Sequence, residues 1–215
     1  MNTFVREPIN CYTHLGGAIL FILGTIVLFV VSLTNDTLNI TSCISILIFG
    51  LSLVALYTTS GIYHMLYVKD ATLIILRKLD HAMIFILIAG SYTPFCLLSL
   101  TGAWKWGFIS VIWILAIIGI LLKIFWMNMP RILSTGMYVG MGWLAVIAIN
   151  PLYKSLQIEA FMLLLIGGII YTIGGVIYAM KKPNISKNIG FHELFHIFCL
   201  LGSGCHYYAV CKYII

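Results

Sequence analysis

The chain has 215 residues, 62% of them hydrophobic and 8% charged, and a mean hydropathy of +1.09. Soluble domains carry about a quarter of their residues as charged groups, so this composition excludes an ordinary soluble fold. The formal net charge of +6 does not point to nucleic acid, because the basic residues are scattered through connecting segments rather than gathered into a stripe.

Apolar stretches of about 20 residues suffice to cross ~30 Å of hydrocarbon. Seven are predicted, at approximately 15–33, 42–66, 80–100, 106–126, 132–150, 159–180 and 191–213. Met1 to His14 is polar and carries Glu7, with no small-residue cleavage motif after the first run, so that run reads as a retained span rather than a signal peptide. The breaks carry turn or charge signals: Thr34-Asn35-Asp36, Lys69-Asp70, Thr101-Gly102, Asn128-Met129-Pro130-Arg131, Asn150-Pro151 and Lys181-Lys182-Pro183-Asn184. The expected architecture is all-α: residues 1–215 form a single seven-transmembrane helix bundle in the cell membrane, the inner membrane in a bacterium.

Lysine and arginine set the expected orientation. Nine of them, Arg6, Lys69, Arg77, Lys78, Lys123, Arg131, Lys181, Lys182 and Lys187, fall on the side of the N-terminus, against Lys105, Lys154 and Lys212 on the other. The positive-inside rule then puts the N-terminus inside and the C-terminus outside. The six cysteines lack paired x-x spacing and are expected to be small core-filling thiols, although a Cys43–Cys211 bridge on the outer face is conceivable.

Ionisable groups at membrane depth are costly and default to functional roles. Ser60 and His64 lie one turn apart near the end of the second span, Asp80 is expected to open the third with His81 beside it, and His192 and His196 open the seventh. The orientation brings all of them to one depth on the cytoplasmic side. Histidines four apart share a helix face and can share a metal ion. Three neutral imidazoles, from His64, His192 and His196, suit zinc with an open fourth position for water. Asp80 could orient that water or take its proton, and Ser60 could hydrogen-bond it or a developing oxyanion. Each residue also has a plainer reading: Ser60 bonded back to a helix carbonyl, Asp80 as an N-cap or Arg77 partner, His64 as an interfacial side chain. His206 lies ten residues past His196, about 15 Å along a helix, too far for the same ligand set. His14 begins the first span and could approach the site, but is expected at the membrane interface; His81 is expected to pack or to support the site from behind the ligands. Trp104 and Trp106 are expected as interfacial anchors, and Lys123 is expected to snorkel. Gly167-Gly168 and Gly174-Gly175 should permit close helix packing.

The chain resembles the hemolysin III branch of the progestin and adipoQ receptor (PAQR) family, which includes the adiponectin receptors. The resemblance spans essentially the whole chain. It rests on Glu7-Pro8-Ile9-Asn10 followed by Thr13-His14, on Ser60-Gly61-Ile62-Tyr63-His64, on Asp80, and on His192-Glu193-Leu194-Phe195-His196. It implies a seven-helix bundle with a zinc on the cytoplasmic side, held by His64, His192 and His196, with Asp80 and Ser60 completing the site around the metal-bound water. The related alkaline ceramidases imply lipid amide hydrolysis, and the hemolysin name implies membrane lysis by some members.

The leading functional expectation is therefore a zinc-dependent membrane hydrolase acting on a lipid amide or ester, or a regulator of membrane lipid state. Its expected partners are membrane lipids, including an acyl-chain substrate entering from the inner leaflet; no nucleic acid is expected and no oligomeric state is implied. A pore-forming cytolysin and a sensor or receptor with structural zinc stand as alternatives. A zinc peptidase is a further one, since His192-Glu193-Leu194-Phe195-His196 spells His-Glu-x-x-His.

Overall fold

A computed structural model of the protein describes residues 4–126, 128–186 and 188–215. Lys187, one of the basic residues counted above, lies outside the described residues.

Among the described residues there are eight α-helices: α1 (Pro8–Thr34), α2 (Ile40–Met65), α3 (Asp70–Pro94), α4 (Gly102–Phe125), α5 (Arg131–Gly142), α6 (Ile149–Ser155), α7 (Ile158–Met180) and α8 (Phe191–Ala209). Six are long and apolar enough to cross a membrane by themselves, and the count is seven if the bent pair formed by α5 and α6 is taken as one span. Lipid-facing surface is legible on α1, where Ile19, Leu23, Ile26, Val30 and Leu33 recur at helical spacing and are exposed.

Local chemistry sets the ends nearest the histidines. Proline stands at the first position of α1, where its missing N–H costs nothing. At the other end of the bundle, Asn39 caps α2 by accepting from the Thr41 and Ser42 amides, while Ser42 Oγ accepts from the Asn39 amide. Glu193 Oε2 accepts from the Gly190 amide at 2.8 Å and so satisfies a free N–H at the start of α8.

Three boundaries differ from the sequence reading. The first helix starts at Pro8 rather than near residue 15, because the polar residues Asn10 and His14 face protein, where both are buried. The third begins at Asp70, so Asp80 lies ten residues inside a continuous helix instead of opening it. The stretch Asp70–Leu79 is rich in leucine, isoleucine, arginine and lysine, which carry the helix beyond the apolar run. The fifth span is broken: a 3-10 turn at Trp143–Val146 follows α5, and the α5 and α6 segments are bent by 56°. The Tyr92 hydroxyl fills that break. It accepts from the Ala145 amide at 2.9 Å and donates toward the Gly142 carbonyl, with the Met141 carbonyl 3.3 Å away.

Neighbouring helices pack in series, α1 on α2, α2 on α3 and α3 on α4, after which α5 packs on α3 and α7, and α8 lies between α7 and α1. The result is a ring of α1, α2, α3, α5, α7 and α8, with α4 outside it. Tyr57, Phe49, Phe85, Phe95 and Leu53 are among the most deeply buried side chains. Glycines allow the closest approaches: a β-carbon at Gly167 would meet the His206 ring at 2.4 Å, and one at Gly174 would meet Phe198 Cβ at 2.7 Å. The six cysteines are free thiols.

Candidate functional site

The ring lines a cavity of about 370 Å³. Its described lining comes from α1, α2, α3, α5, α6, α7, α8 and the α5–α6 break, and none of it from α4. Ser60, His64, Asp80, His192 and His196 all line one end. Beyond them the walls become mostly apolar, with Leu56, Leu87, Ile88, Leu164, Leu165 and Phe161.

His64 arrives from the last turn of α2, and His192 and His196 from the first turns of α8. One ligand nitrogen or more from each lies within 4.8 Å of those of the other two. The ring centroids are 4.8–5.1 Å apart. His64 and His196 are almost fully buried, whereas His192 is partly so.

His64 Nδ1 donates to Glu7 Oε2 at 2.7 Å, which leaves Nε2 buried and without a partner among the described residues. His196 Nδ1 is likewise buried and unpartnered among the described residues. Burying an imidazole nitrogen with no hydrogen bond costs free energy unless something in the site engages it. Three imidazoles whose ligand atoms come within 4.8 Å of one another are a donor set that fits zinc. A carboxylate on the far nitrogen of a ligand histidine is the usual support for such a site, since it fixes the tautomer and raises basicity.

Asp80 is half-buried and close enough to feel both the Ser60 hydroxyl and the His64 ring. Ser60 is buried. One residue departs from expectation. His14 is not interfacial: it is buried and stacks on His196, with centroids 3.7 Å apart and planes inclined by 17°. Neither of its ring nitrogens has a hydrogen-bond partner among the described residues. His81 also lines the cavity, with Nδ1 3.2 Å from the Tyr138 hydroxyl. His206 lines the same cavity deeper in, with Nε2 donating to the Leu164 carbonyl at 3.2 Å, outside the histidine cluster.

Glu7 and Asn10 carry roles that spacing alone did not assign. The Asn10 amide donates to Glu7 Oε2 at 3.1 Å and to Glu193 Oε1 at 2.9 Å, so it ties the start of α1 to the start of α8. The hydrogen bond from His64, aided by its charge, by Asn10 and by Arg6, outweighs desolvation and holds the Glu7 carboxyl down to about 2. The signal available in sequence was Glu7, Asn10 and His14 at helical spacing on one face of an otherwise apolar segment. Glu193, by contrast, is engaged by Asn10 and the α8 cap and does not line the cavity. The general base that a His-Glu-x-x-His peptidase needs is therefore turned to other work.

A membrane bundle of six to seven spans with a histidine cluster at one end of an internal cavity defines the class. Residues 2–207 match the model of the family described as "Haemolysin-III related". The chain is 37% identical to "Hemolysin-3" of Bacillus cereus, over 100% of this chain and 95% of that protein. It is 38% identical to the "Hemolysin-3 homolog" of Bacillus subtilis (strain 168), over 100% and 97%. Identity to the human "Monocyte to macrophage differentiation factor" is 27%, over 99% and 86%. The protein belongs to the haemolysin-III-related family, within the wider PAQR group, and is a multi-pass integral protein of the cell membrane.

Proposed function

We propose that this chain binds zinc through His64, His192 and His196 and hydrolyses an amide or ester bond of a membrane lipid. The observation that carries the reading is the pair of orphaned buried nitrogens, His64 Nε2 and His196 Nδ1, at the end of a largely apolar cavity. Zinc in such a site, when bound, acts as a Lewis acid toward a carbonyl and lowers the pKa of water to about 7.

The chain's own residues supply the rest. Water adds across the acyl carbon–nitrogen or carbon–oxygen bond. Asp80 takes the proton that the water loses onto a carboxylate oxygen and returns it to the leaving nitrogen or oxygen. The Ser60 hydroxyl donates to the carbonyl oxygen as negative charge develops there. Leu56, Leu87, Ile88, Leu164 and Leu165 hold the acyl chain and keep bulk water from the reacting end. With the N-terminus inside, the histidine end faces the inner leaflet, from which the lipid enters between helices.

The test is Asp80→Asn, which keeps the side-chain size but removes the proton acceptor. Metal analysis should find zinc retained, while hydrolysis of ceramide-like and acyl substrates by protein in bilayers falls by orders of magnitude. A zinc-loaded parent that turns over nothing in a broad panel would move the reading to a sensor with structural zinc. Loss of zinc in the variant would make Asp80 a ligand or support instead.

A further inference from the structure

His206 stands on α8 apart from the histidine cluster, and its hydrogen bonding is incomplete. The residue is 8% exposed and lines the cavity. Nε2 donates to the Leu164 carbonyl at 3.2 Å, which fixes the tautomer and leaves Nδ1 as a lone-pair acceptor. Nδ1 is buried and has no hydrogen-bond partner among the described residues. Packing gives its direction. A β-carbon at Gly167 would collide with Cδ2 and Nε2, so that edge of the ring faces α7 and Nδ1 is the opposite corner.

A second such group stands at the same depth. Ser91 of α3 is 7% exposed, lines the same cavity, and its hydroxyl enters no hydrogen bond among the described residues. Two positions on, Thr93 bonds back to the Ala89 carbonyl at 2.9 Å, the usual resort of a hydroxyl in an apolar helix. Ser91 is eleven residues beyond Asp80, and His206 is ten beyond His196. Both therefore lie about 15–16 Å from the histidine end, at 1.5 Å per helical residue. Phe95, one turn past Ser91, meets the His206 ring edge-on with centroids 6.3 Å apart, so the α3 side faces α8 here. Other hydroxyls of the lining are already engaged: Tyr171 with Ser203 at 2.6 Å, Thr172 with the Gly168 carbonyl at 2.7 Å, and Tyr92 at the α5 break.

Two buried polar groups without partners, set among leucine and isoleucine walls, are costly unless a ligand completes them. A lone-pair nitrogen calls for a donor, whereas a serine hydroxyl donates or accepts. An alcohol suits both at once, donating to Nδ1 and accepting from Ser91; a ketone can only accept.

We propose that Ser91 and His206 form a hydroxyl-binding site in the apolar depth of the cavity, which takes the mid-chain hydroxyl of an acyl ligand. A depth of about 15 Å corresponds to about 12 carbons of extended chain, which sets the preferred position of the hydroxyl. That position rests on the reading that the acyl head lies at the histidine end. The site itself uses neither the metal nor turnover.

The experiment is native mass spectrometry of the full chain released from detergent, titrated with stearic acid and its 12-hydroxy, 2-hydroxy and 12-oxo derivatives. The parent should retain the 12-hydroxy acid about tenfold more tightly than stearic acid, since each of two hydrogen bonds contributes severalfold. The 2-hydroxy and 12-oxo acids should gain less than about threefold by the same reasoning. Ser91→Ala should lose part of the preference and keep the fold, because it removes only an unpartnered hydroxyl. His206→Gln keeps a donor toward Leu164 without the ring acceptor, and combined with Ser91→Ala it should abolish the preference while stearic acid still binds. Metal-free protein should show the parent's preference, so a failed zinc reading leaves the site standing. Equal retention of stearic and 12-hydroxystearic acids would overturn the proposal, leave the acyl cavity in place and make water the partner of the two residues. An equal gain from the 2-hydroxy acid would also overturn it, because depth would then play no part. An equal gain from the oxo acid would assign the contact to Ser91 alone and overturn the role of His206. Retention of neither acid would remove the acyl reading and this site together.

Discussion

Glu7 and His64 stand 57 positions apart in the chain and share a 2.7 Å hydrogen bond from Nδ1 to Oε2. Around it, the Glu7 amide donates to the His64 carbonyl at 3.0 Å and the Arg6 amide to the Met65 carbonyl at 3.2 Å. The start of α1 is thus latched to the end of α2, and the latch sets the direction of the His64 ring.

Glu7→Gln should weaken zinc binding by about 10–100-fold, the usual cost of losing a carboxylate behind a ligand histidine. Competition titration against a zinc chelator measures it. The fold should persist, because the backbone bonds at Arg6 and Glu7 remain. Unchanged zinc affinity in a folded variant would remove Glu7 from the site.

The same carboxylate predicts an acid dependence. Its pKa in the folded chain is about 2 against an ordinary 4.5, so the folded state favours the ionised form. The stabilisation is present in full above about 4.5 and is lost as pH falls through about 2. In chelated protein, the gap in melting temperature between parent and Glu7→Gln should narrow steadily across that window. A constant gap would mean that the charge of Glu7 contributes nothing.

Tyr92→Phe should destabilise the protein by about 1–3 kcal/mol, because the Ala145 amide and the carbonyls at the α5 break lose a buried partner. Hydrogen exchange should quicken at Ala145 and its neighbours before it changes in α1 or α2. Uniform acceleration across the bundle would contradict a local role.

A glycine pair separates packing from propensity. A β-carbon at Gly90 would meet Ser52 Oγ at 2.1 Å, whereas one at Gly168 meets nothing within 4 Å. Gly90→Ala should cost about 1–3 kcal/mol by overpacking. Gly168→Ala should be neutral or stabilise by up to about 1 kcal/mol, through helix propensity alone. Thermal melts in one detergent compare them directly.

Orientation is open to a reporter test. A fusion after Ile215 should be active only with a reporter that works outside the cytoplasm, given the nine-to-three asymmetry of Lys and Arg. Activity of a cytoplasm-only reporter would reverse the bundle and put the histidine end at the outer leaflet.

Ser60 with His64 and His192 with His196 were legible as pairs because residues four apart share a helix face wherever the helix sits. Asp80 was legible as a buried acid but was placed at a helix end, because hydropathy marks where the apolar run stops and not where hydrogen bonding stops. His14 and Lys123 were misread for a related reason. Each lies near a span boundary, and hydropathy assigns such residues to the interface, whereas a neighbouring helix covers them here.

Long apolar runs can satisfy their backbone within a bilayer only as helices or closed barrels, and runs of about 20 residues point to helices. Spanning helices and the local faces of the histidine pairs therefore follow from the chain alone. Which helix ends meet is a different matter. The contact of Glu7 with His64, the stack of His14 on His196, the exclusion of α4 from the ring and the placing of Ser91 and His206 on one cavity each depend on helices distant in sequence. Only side-chain packing between them decides such contacts, because no local period encodes a partner on another helix.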